Sequence, residues 1–262
     1  MIYVSIIKII NIFKIKMLTD IQVQGTIQAT STSPLNFLEG KNIFVFDTET
    51  TGLPAKCPNG WGSYWSYFMN EKYDSSRIIS LAWSVVENYT KNTVSETNTK
   101  NKIEHYLRYP EGFTEINNSH IHGITYEDTI KNGFIFNDIL ENKGLCIDLL
   151  KAEYIVAHNI GFDYHVLMNE LNRLGTENAQ ACMTHLSKLK SKGKCICTGE
   201  ISTDICKMEF KTVSNYKGNK KVKKYKMPKL SELYVYYYGK EFENQHSADG
   251  DVKALLEIMQ KI

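Results

Sequence analysis

Asp47 and Glu49 stand two residues apart at the end of a short apolar run, Ile43-Phe44-Val45-Phe46. If that run is a strand, the two side chains share a face, roughly 7 Å apart along the chain. Two carboxylates so placed repel each other, and a hard divalent cation such as Mg2+ or Mn2+ is the simplest partner that relieves them. Asp163 comes after a second short apolar run, in His158-Asn159-Ile160-Gly161-Phe162-Asp163. It falls in the first turn of a helical pattern, where the helix dipole by itself favours an acid. His246-Ser247-Ala248-Asp249-Gly250-Asp251 opens the last helical pattern, with Ser247 as a candidate N-cap. Each segment alone reads as a polar strand end or a helix start. Three of them at such strand and helix ends are hard to ascribe to chance.

The elements that must position these residues can be read along the chain. Residues 41–47 predict a buried strand. Residues 54–74 are rich in Gly, Trp, Tyr and Asn without a period, and predict a long loop or lid of the kind that is usually functional or mobile. Residues 77–87 and 103–109 complete an antiparallel meander with the first strand. Residues 116–125 read as a polar loop, residues 133–151 as a helix and residues 154–157 as another short strand. Residues 162–174 form an amphipathic helix stopped by Gly175, residues 228–238 a helix with Pro at its start and Gly239 after its end, and residues 247–262 the final amphipathic helix. Three adjacent strands followed by alternating helix and strand predict an α/β fold, a mixed sheet with helices packed on it.

Composition narrows the class. The chain has 262 residues, a formal net charge of +2, 42% hydrophobic and 23% charged residues. Such values exclude a disordered chain, and 16 Gly with 5 Pro exclude a collagen-like repeat. No uninterrupted apolar run reaches the roughly 18 residues that span a bilayer. Six cysteines without a convincing signal peptide predict reduced thiols and a cytoplasmic setting. Cys182, His185, Cys195, Cys197 and Cys206 include enough ligands for a structural zinc, but the Cys-x-Cys spacing is not the usual one, and buried or loop thiols are the plainer reading. Residues 1–36 are placed outside the core domain. Their Ile-rich start carries Lys8, Lys14 and Lys16, as a basic amphipathic membrane helix would, or as an extension ahead of a true start at Met17. Residues 211–229 hold eight Lys and no acid, which leaves the rest of the chain at −6. That stretch is either a solvated loop or a footprint for a phosphate backbone through Lys217, Lys220, Lys221, Lys223 and Lys224.

The run Phe44-Val45-Phe46-Asp47-Thr48-Glu49-Thr50-Thr51-Gly52-Leu53, then His158-Asn159-x-Gly161-Phe162-Asp163, then His246-x-Ala248-x-x-Asp251 resembles the three motifs of the DEDDh, or DnaQ-like, 3′→5′ exonucleases. The proofreading subunit of the bacterial replicative polymerase is the best-known member of that family. Ile121-His122-Gly123-Ile124-Thr125 and Lys229-Leu230-Ser231-Glu232-Leu233-Tyr234 add to the likeness, which spans roughly residues 41–260. The chain departs from the family in its long segment after Leu53 and in its Lys-rich stretch.

The resemblance implies a ribonuclease H-like fold, a mixed five-stranded sheet flanked by helices. It implies a single exonuclease domain over residues 37–262, with a loop insertion near 54–76 and a Lys-rich insertion near 187–229. Asp47, Glu49, Asp163 and Asp251 would hold two divalent cations, Mg2+ or Mn2+, about 4 Å apart. Asp47 would bridge both, Glu49 and Asp251 would complete the tighter site, and Asp163 would serve the second. His246 would be the general base that takes a proton from the attacking water. Backbone groups around Glu49 and Thr50 would hold a terminal 3′-hydroxyl. His122 matches a position beside the terminal nucleotide, Asn117 stands where some relatives carry a Glu, His158 and Asn159 are further substrate-binding candidates, and Leu53 and Phe162 could pack against the terminal base. Trp61, Tyr64, Trp65 and Tyr67 could extend that platform from the loop. The implied substrate is a single-stranded or frayed 3′ end, DNA more than RNA. The alternatives are an RNA-trimming enzyme, a binding module that has lost activity, or a proofreading subunit that needs a separate DNA polymerase as partner.

Overall fold

A computed structural model describes residues 33–60, 62–91, 102–209 and 225–262. The compact unit runs from Pro34 to Ile262. Its elements in chain order are β1 (Ile43–Thr50), β2 (Ile78–Val86), β3 (Ile103–Leu107), α1 (Ser119–His122), α2 (Tyr126–Asn132), α3 (Phe136–Asn142), α4 (Leu145–Lys151), β4 (Tyr154–Ala157), α5 (Ile160–Leu174), α6 (Glu177–Ser191), β5 (Cys195–Cys197), α7 (Thr198–Cys206), α8 (Leu230–Tyr238) and α9 (Ala248–Met259). The five strands form one mixed sheet in the order β3-β2-β1-β4-β5. β1 pairs antiparallel with β2 and parallel with β4, and β4 pairs parallel with β5. β1 is buried on both faces, as a continuous apolar run requires in a sheet covered on both sides. Phe44 and Phe46 pack with α3 to α6 on one face, while Ile43 and Val45 pack with α8 and α9 on the other.

Several sequence expectations need correction. The domain starts earlier than residue 37, because Leu35 is buried in the same core as α9. The helix expected over residues 133–151 is two helices, broken where Gly144 adopts φ 89° at the start of α4. The polar loop at 116–125 contains α1, closed by left-handed Gly123. α2 was not expected, although Thr125 and Asp128 form a capping box that could have revealed it. The Lys-rich insertion is narrower than residues 187–229. Residues up to 191 finish α6, and residues 195–206 supply β5 and α7. β5 has three residues, too few for alternation to show, and Lys188 and Lys190 sit in the last turn of α6, where the helix dipole favours them. The N-terminal basic segment, Trp61 and the five lysines from Lys217 to Lys224 lie outside the described residues.

The long segment after Leu53 is fastened to α5. Asn169 Nδ2 donates to Tyr67 O at 2.8 Å and to Asn70 Oδ1 at 2.9 Å, and Arg173 pairs with Asp74 at 2.6 Å. Tyr73 is fully buried, with its hydroxyl donating to Trp65 O at 2.5 Å. Trp65 and Tyr67 pack on the core, so they do not form a free platform. Beside this segment, Glu170 of α5 is buried and accepts two hydrogen bonds from Arg77, at 2.8 and 2.9 Å, one from buried Arg108 at 3.1 Å and one from Ile78 N at 3.1 Å. These bonds lock α5 to the start of β2. Among the described residues, no helix is long and apolar enough to cross a membrane.

Candidate active site

β1 outruns its parallel neighbour. β4 pairs with it only from Ile43 to Val45, so the far end of β1 has no strand on that side. Its Thr48 N–H is taken instead by Asp163 Oδ1 at 3.1 Å, and the Thr48 hydroxyl donates to the same oxygen at 2.7 Å. This grip holds Asp163, buried in the first turns of α5, at the end of β1. Asp47 and Glu49 continue the parity of Ile43 and Val45, the residues that face α9. Asp251 lies in the first turn of α9. Asp47, Glu49 and Asp251 each bring a carboxylate oxygen within 4.8 Å of the others, the one such group of His, Cys, Asp and Glu ligands among the described residues.

The electrostatics follow from this crowding. Burial, then Asp163, Asp251 and Glu49, hold the Asp47 carboxyl well above its ordinary range. Burial and the neighbouring Asp251 and Asp163 push Glu49 up to about 8. Burial raises Asp163 to about 7 against the opposing pull of its bonds from Thr48, and raises Asp251 to about 7 against a bond from the His246 backbone. Asp251 Oδ1 is buried with no hydrogen-bond partner. Oxygen donors of this kind, sharing unneutralised charge and one orphaned atom, fit a hard divalent cation.

Around this centre the other expected residues separate. Thr50 is buried, and its hydroxyl donates to Gly52 O at 2.7 Å. Leu53 is 76% exposed, a bare apolar side chain beside the site. His122 accepts from Ile124 N through Nδ1 at 3.1 Å, and burial lowers its pKa against the opposing pull of the Thr50 backbone, with His120 and His246 adding to the fall. Its Nε2 is buried and makes no hydrogen bond. Asn117 is exposed, and its neighbour Asn118 is the residue that donates to Thr50 O, at 2.8 Å. Nothing in the sequence distinguishes these adjacent asparagines. His158 is a strut, with Nδ1 3.0 Å from Thr198 Oγ1 and Nε2 2.9 Å from Pro228 O. Its ring nitrogens are therefore occupied, against the expectation of a substrate contact. Asn159 is exposed in a left-handed conformation ahead of α5, and Phe162 is partly buried on the core. Tyr64 leans on this corner. Its ring stacks on His165 at 4.7 Å, and a Cβ at Gly161 would come within 3.0 Å of it. His246 is exposed on a turn at φ 63°.

Among the described residues the cysteines and His185 do not gather into a group of possible metal ligands. Cys182 lies 3.6 Å from Cys146, His185 Nε2 lies 2.8 Å from Ala152 O, and Cys197 Sγ accepts from Glu200 N at the start of α7. Each is occupied locally, and all six cysteines are free thiols.

The exonuclease family model, named for RNase T, matches residues 44–259. The chain belongs to this family. Its five-stranded sheet is the ribonuclease H-like fold of the DnaQ-like exonucleases, and its acidic centre stands at the end of β1. Solved structures share the fold. E. coli exonuclease I in complex with a dT13 oligonucleotide aligns with a TM-score of 0.54 at 15% identity, over 84% of this chain and 40% of that one. The zinc-bound E. coli exonuclease I–single-stranded DNA complex gives 0.53 at 13%, over 85% and 40%. The complex with a dA16 oligonucleotide gives 0.53 at 14%, over 83% and 39%. The chain thus spans about two fifths of the length of those proteins. No curated protein matches the sequence.

Proposed function

We propose that this chain is a two-metal-ion 3′→5′ exonuclease that releases nucleoside 5′-monophosphates from single-stranded or frayed 3′ ends, DNA in preference to RNA. The observation that carries this reading is the carboxylate group of Asp47, Glu49 and Asp251, gathered within 4.8 Å with one buried oxygen unpartnered. The single-stranded DNA and the dT13 and dA16 oligonucleotides named for the exonuclease I complexes support the choice of substrate.

Asp47, Glu49, Asp251 and Asp163 would hold two divalent cations, Mg2+ or Mn2+, which when bound stabilise charge on the attacking and leaving oxygens. The Thr48 bonds keep Asp163 turned to that task. The water oxygen attacks the terminal phosphorus, the bond to the preceding 3′-oxygen breaks, and the nucleotide leaves with its 5′-phosphate. His246 takes the proton from the attacking water. Asn118 fixes the Thr50 carbonyl, so that the backbone at Glu49 and Thr50 presents a set shape to the terminal 3′-hydroxyl. Leu53 and Phe162 pack against the last base, and His122 stands beside the terminal nucleotide.

The test is the fate of 5′-labelled single-stranded DNA and RNA of one sequence. A ladder shortening from the 3′ end, faster on DNA and stopped by a chelator, is expected. Internal cuts, or no shortening with cation present, would overturn the reading. His246→Ala should lower kcat by about a hundredfold or more while the cation still raises Tm as in the wild type. Unchanged turnover would remove it as the base.

We further infer that the Lys-rich stretch touches the phosphate backbone through Lys217, Lys220, Lys221, Lys223 and Lys224. Support comes from its flanks. Lys226 N donates to Met208 O at 2.9 Å, and Pro228 O meets His158, the residue before Asn159. The described flanks of the stretch therefore meet each other, and Pro228 reaches the residue before Asn159. Replacing all five lysines by Gln should flatten the salt dependence of single-strand affinity by up to about 3.5 in the log–log slope. An unchanged slope would return the stretch to an ordinary solvated loop.

A further inference from the structure

The turn that carries His246 holds two residues in left-handed backbone conformation, Asn244 at φ 58° and His246 at φ 63°. Neither is glycine, so the turn is strained and must be held by its surroundings. Packing supplies one side. Gly250 lies so close that a Cβ there would meet Asn244 O at 2.3 Å. The other side is open, because a cleft of about 430 Å³ runs along Asn244, Asp249, Gly250 and Lys253 to His105 on β3. Side-chain bonds must do there what packing does not.

Those bonds form a chain that starts inside the sheet. Ser80, fully buried on β2 and directly opposite Glu49 of β1, lies 2.9 Å from His105 Nε2. His105 Nδ1 faces Asp249 Oδ1 at 3.5 Å. That same Asp249 oxygen accepts a hydrogen bond from the Ser247 hydroxyl. Ser247 follows His246 directly, donates its N–H to Asn244 O at 3.2 Å and accepts from Asp251 N at 2.8 Å. The chain therefore joins β2, the strand paired with the one that bears Glu49, to the residue that fixes the His246 turn and the first turn of α9.

We propose that Asp249, Ser247 and His105 are positioning residues, a polar clamp from the sheet edge that sets the His246 turn relative to the carboxylates. This inference rests on the reading of His246 as the general base and adds what aims it. Asp249 is not among the carboxylates gathered at the site. It acts through Ser247, and a displaced base loses rate steeply with small shifts in position.

Steady-state kinetics on single-stranded DNA test the clamp with Asp249→Ala, Ser247→Ala and Ser247→Thr. Both alanine variants should lose about tenfold or more in kcat, with KM and the cation concentration for half-activation unchanged. Ser247→Thr keeps the hydroxyl and should recover to within about threefold of wild type. A merely structural role would not give this split between kcat and KM, nor the return with the hydroxyl. If His246→Ala is slow while both alanine variants run at the wild-type rate, the clamp is overturned and the base assignment stands. A Ser247→Thr variant as slow as Ser247→Ala overturns it as well. If His246→Ala itself runs at the wild-type rate, the base assignment fails and takes the clamp with it.

Discussion

Asp47→Asn should cost the enzyme about three orders of magnitude in kcat and, in the cation-free protein at pH 7, raise Tm. The two effects share one cause. Asp47 is held well above its ordinary pKa by burial and by Asp163, Asp251 and Glu49, and Glu49 itself is raised to about 8. A carboxyl whose pKa is raised by folding opposes folding once pH exceeds its unfolded value, so the cation-free protein loses stability as pH climbs from about 4 towards 8. A neutral Asn removes one charge from the cluster. The gain should be on the order of 2 kcal/mol, or about 4–8 °C for a domain of this size. The expected loss in rate corresponds to about 4 kcal/mol of charge stabilisation that bound cations would no longer supply once the Asp47 carboxylate is gone. Cation binding needs the carboxylates deprotonated, so the rise in Tm on adding Mg2+ to the wild type should be larger at pH 8 than at pH 6. Thermal melts with and without cation, beside turnover on single-stranded DNA, check all three. A cation-free Asp47→Asn that melts below wild type, or that keeps wild-type turnover, would remove the metal assignment.

Glu170→Ala should be the most damaging single change to stability, about 3–5 kcal/mol, which lowers Tm by about 10 °C or more. Glu170 is buried and accepts from Arg77, Arg108 and the Ile78 N–H, so its loss takes from buried Arg108 its one buried carboxylate partner and leaves it the half-exposed Glu111 and the Ile78 carbonyl. Burial alone would raise the Glu170 pKa, but Arg108 and Arg77 outweigh it and hold the carboxylate below the usual range. Its stabilising contribution is therefore complete above the unfolded value of 4.5 and lost as pH falls through the lower folded value. The gap in Tm between wild type and variant should close as pH drops below about 4. Because Glu170 lies on α5 with Asp163, activity should fail at a lower temperature in the variant while kcat at low temperature stays near wild type. A Tm within about 2 °C of wild type would show that the network contributes little.

The sequence alone determined what could be written locally. An apolar run ending in Asp47-Thr48-Glu49 makes a buried strand with two acids on one face, because side chains alternate. Gly175 and Gly239 end their helices because each adopts the left-handed conformation there. The helical periods of α5 and α9 were legible for the same local reason, as was the placing of Asp163 and Asp251 in their first turns. Tertiary structure decided everything that depends on a partner distant in sequence. Thr48 grips Asp163 only because β4 stops short of it, which no pattern within either segment encodes. Asn118 rather than Asn117 meets Thr50, since the rotation of one turn chooses between neighbours. Trp65 and Tyr67 went to the core instead of substrate because the long segment after Leu53 is bound to α5 by side chains about a hundred residues away, and His158 became a strut because Thr198 and Pro228 take its ring nitrogens. β5 is too short to carry a period and exists because β4 offers it a free edge. Periodicity and motif spacing act over a few residues and survive in the sequence. Hydrogen-bond partners and strand ends are settled only when the sheet closes and each buried polar group must find an acceptor or donor wherever the fold supplies one.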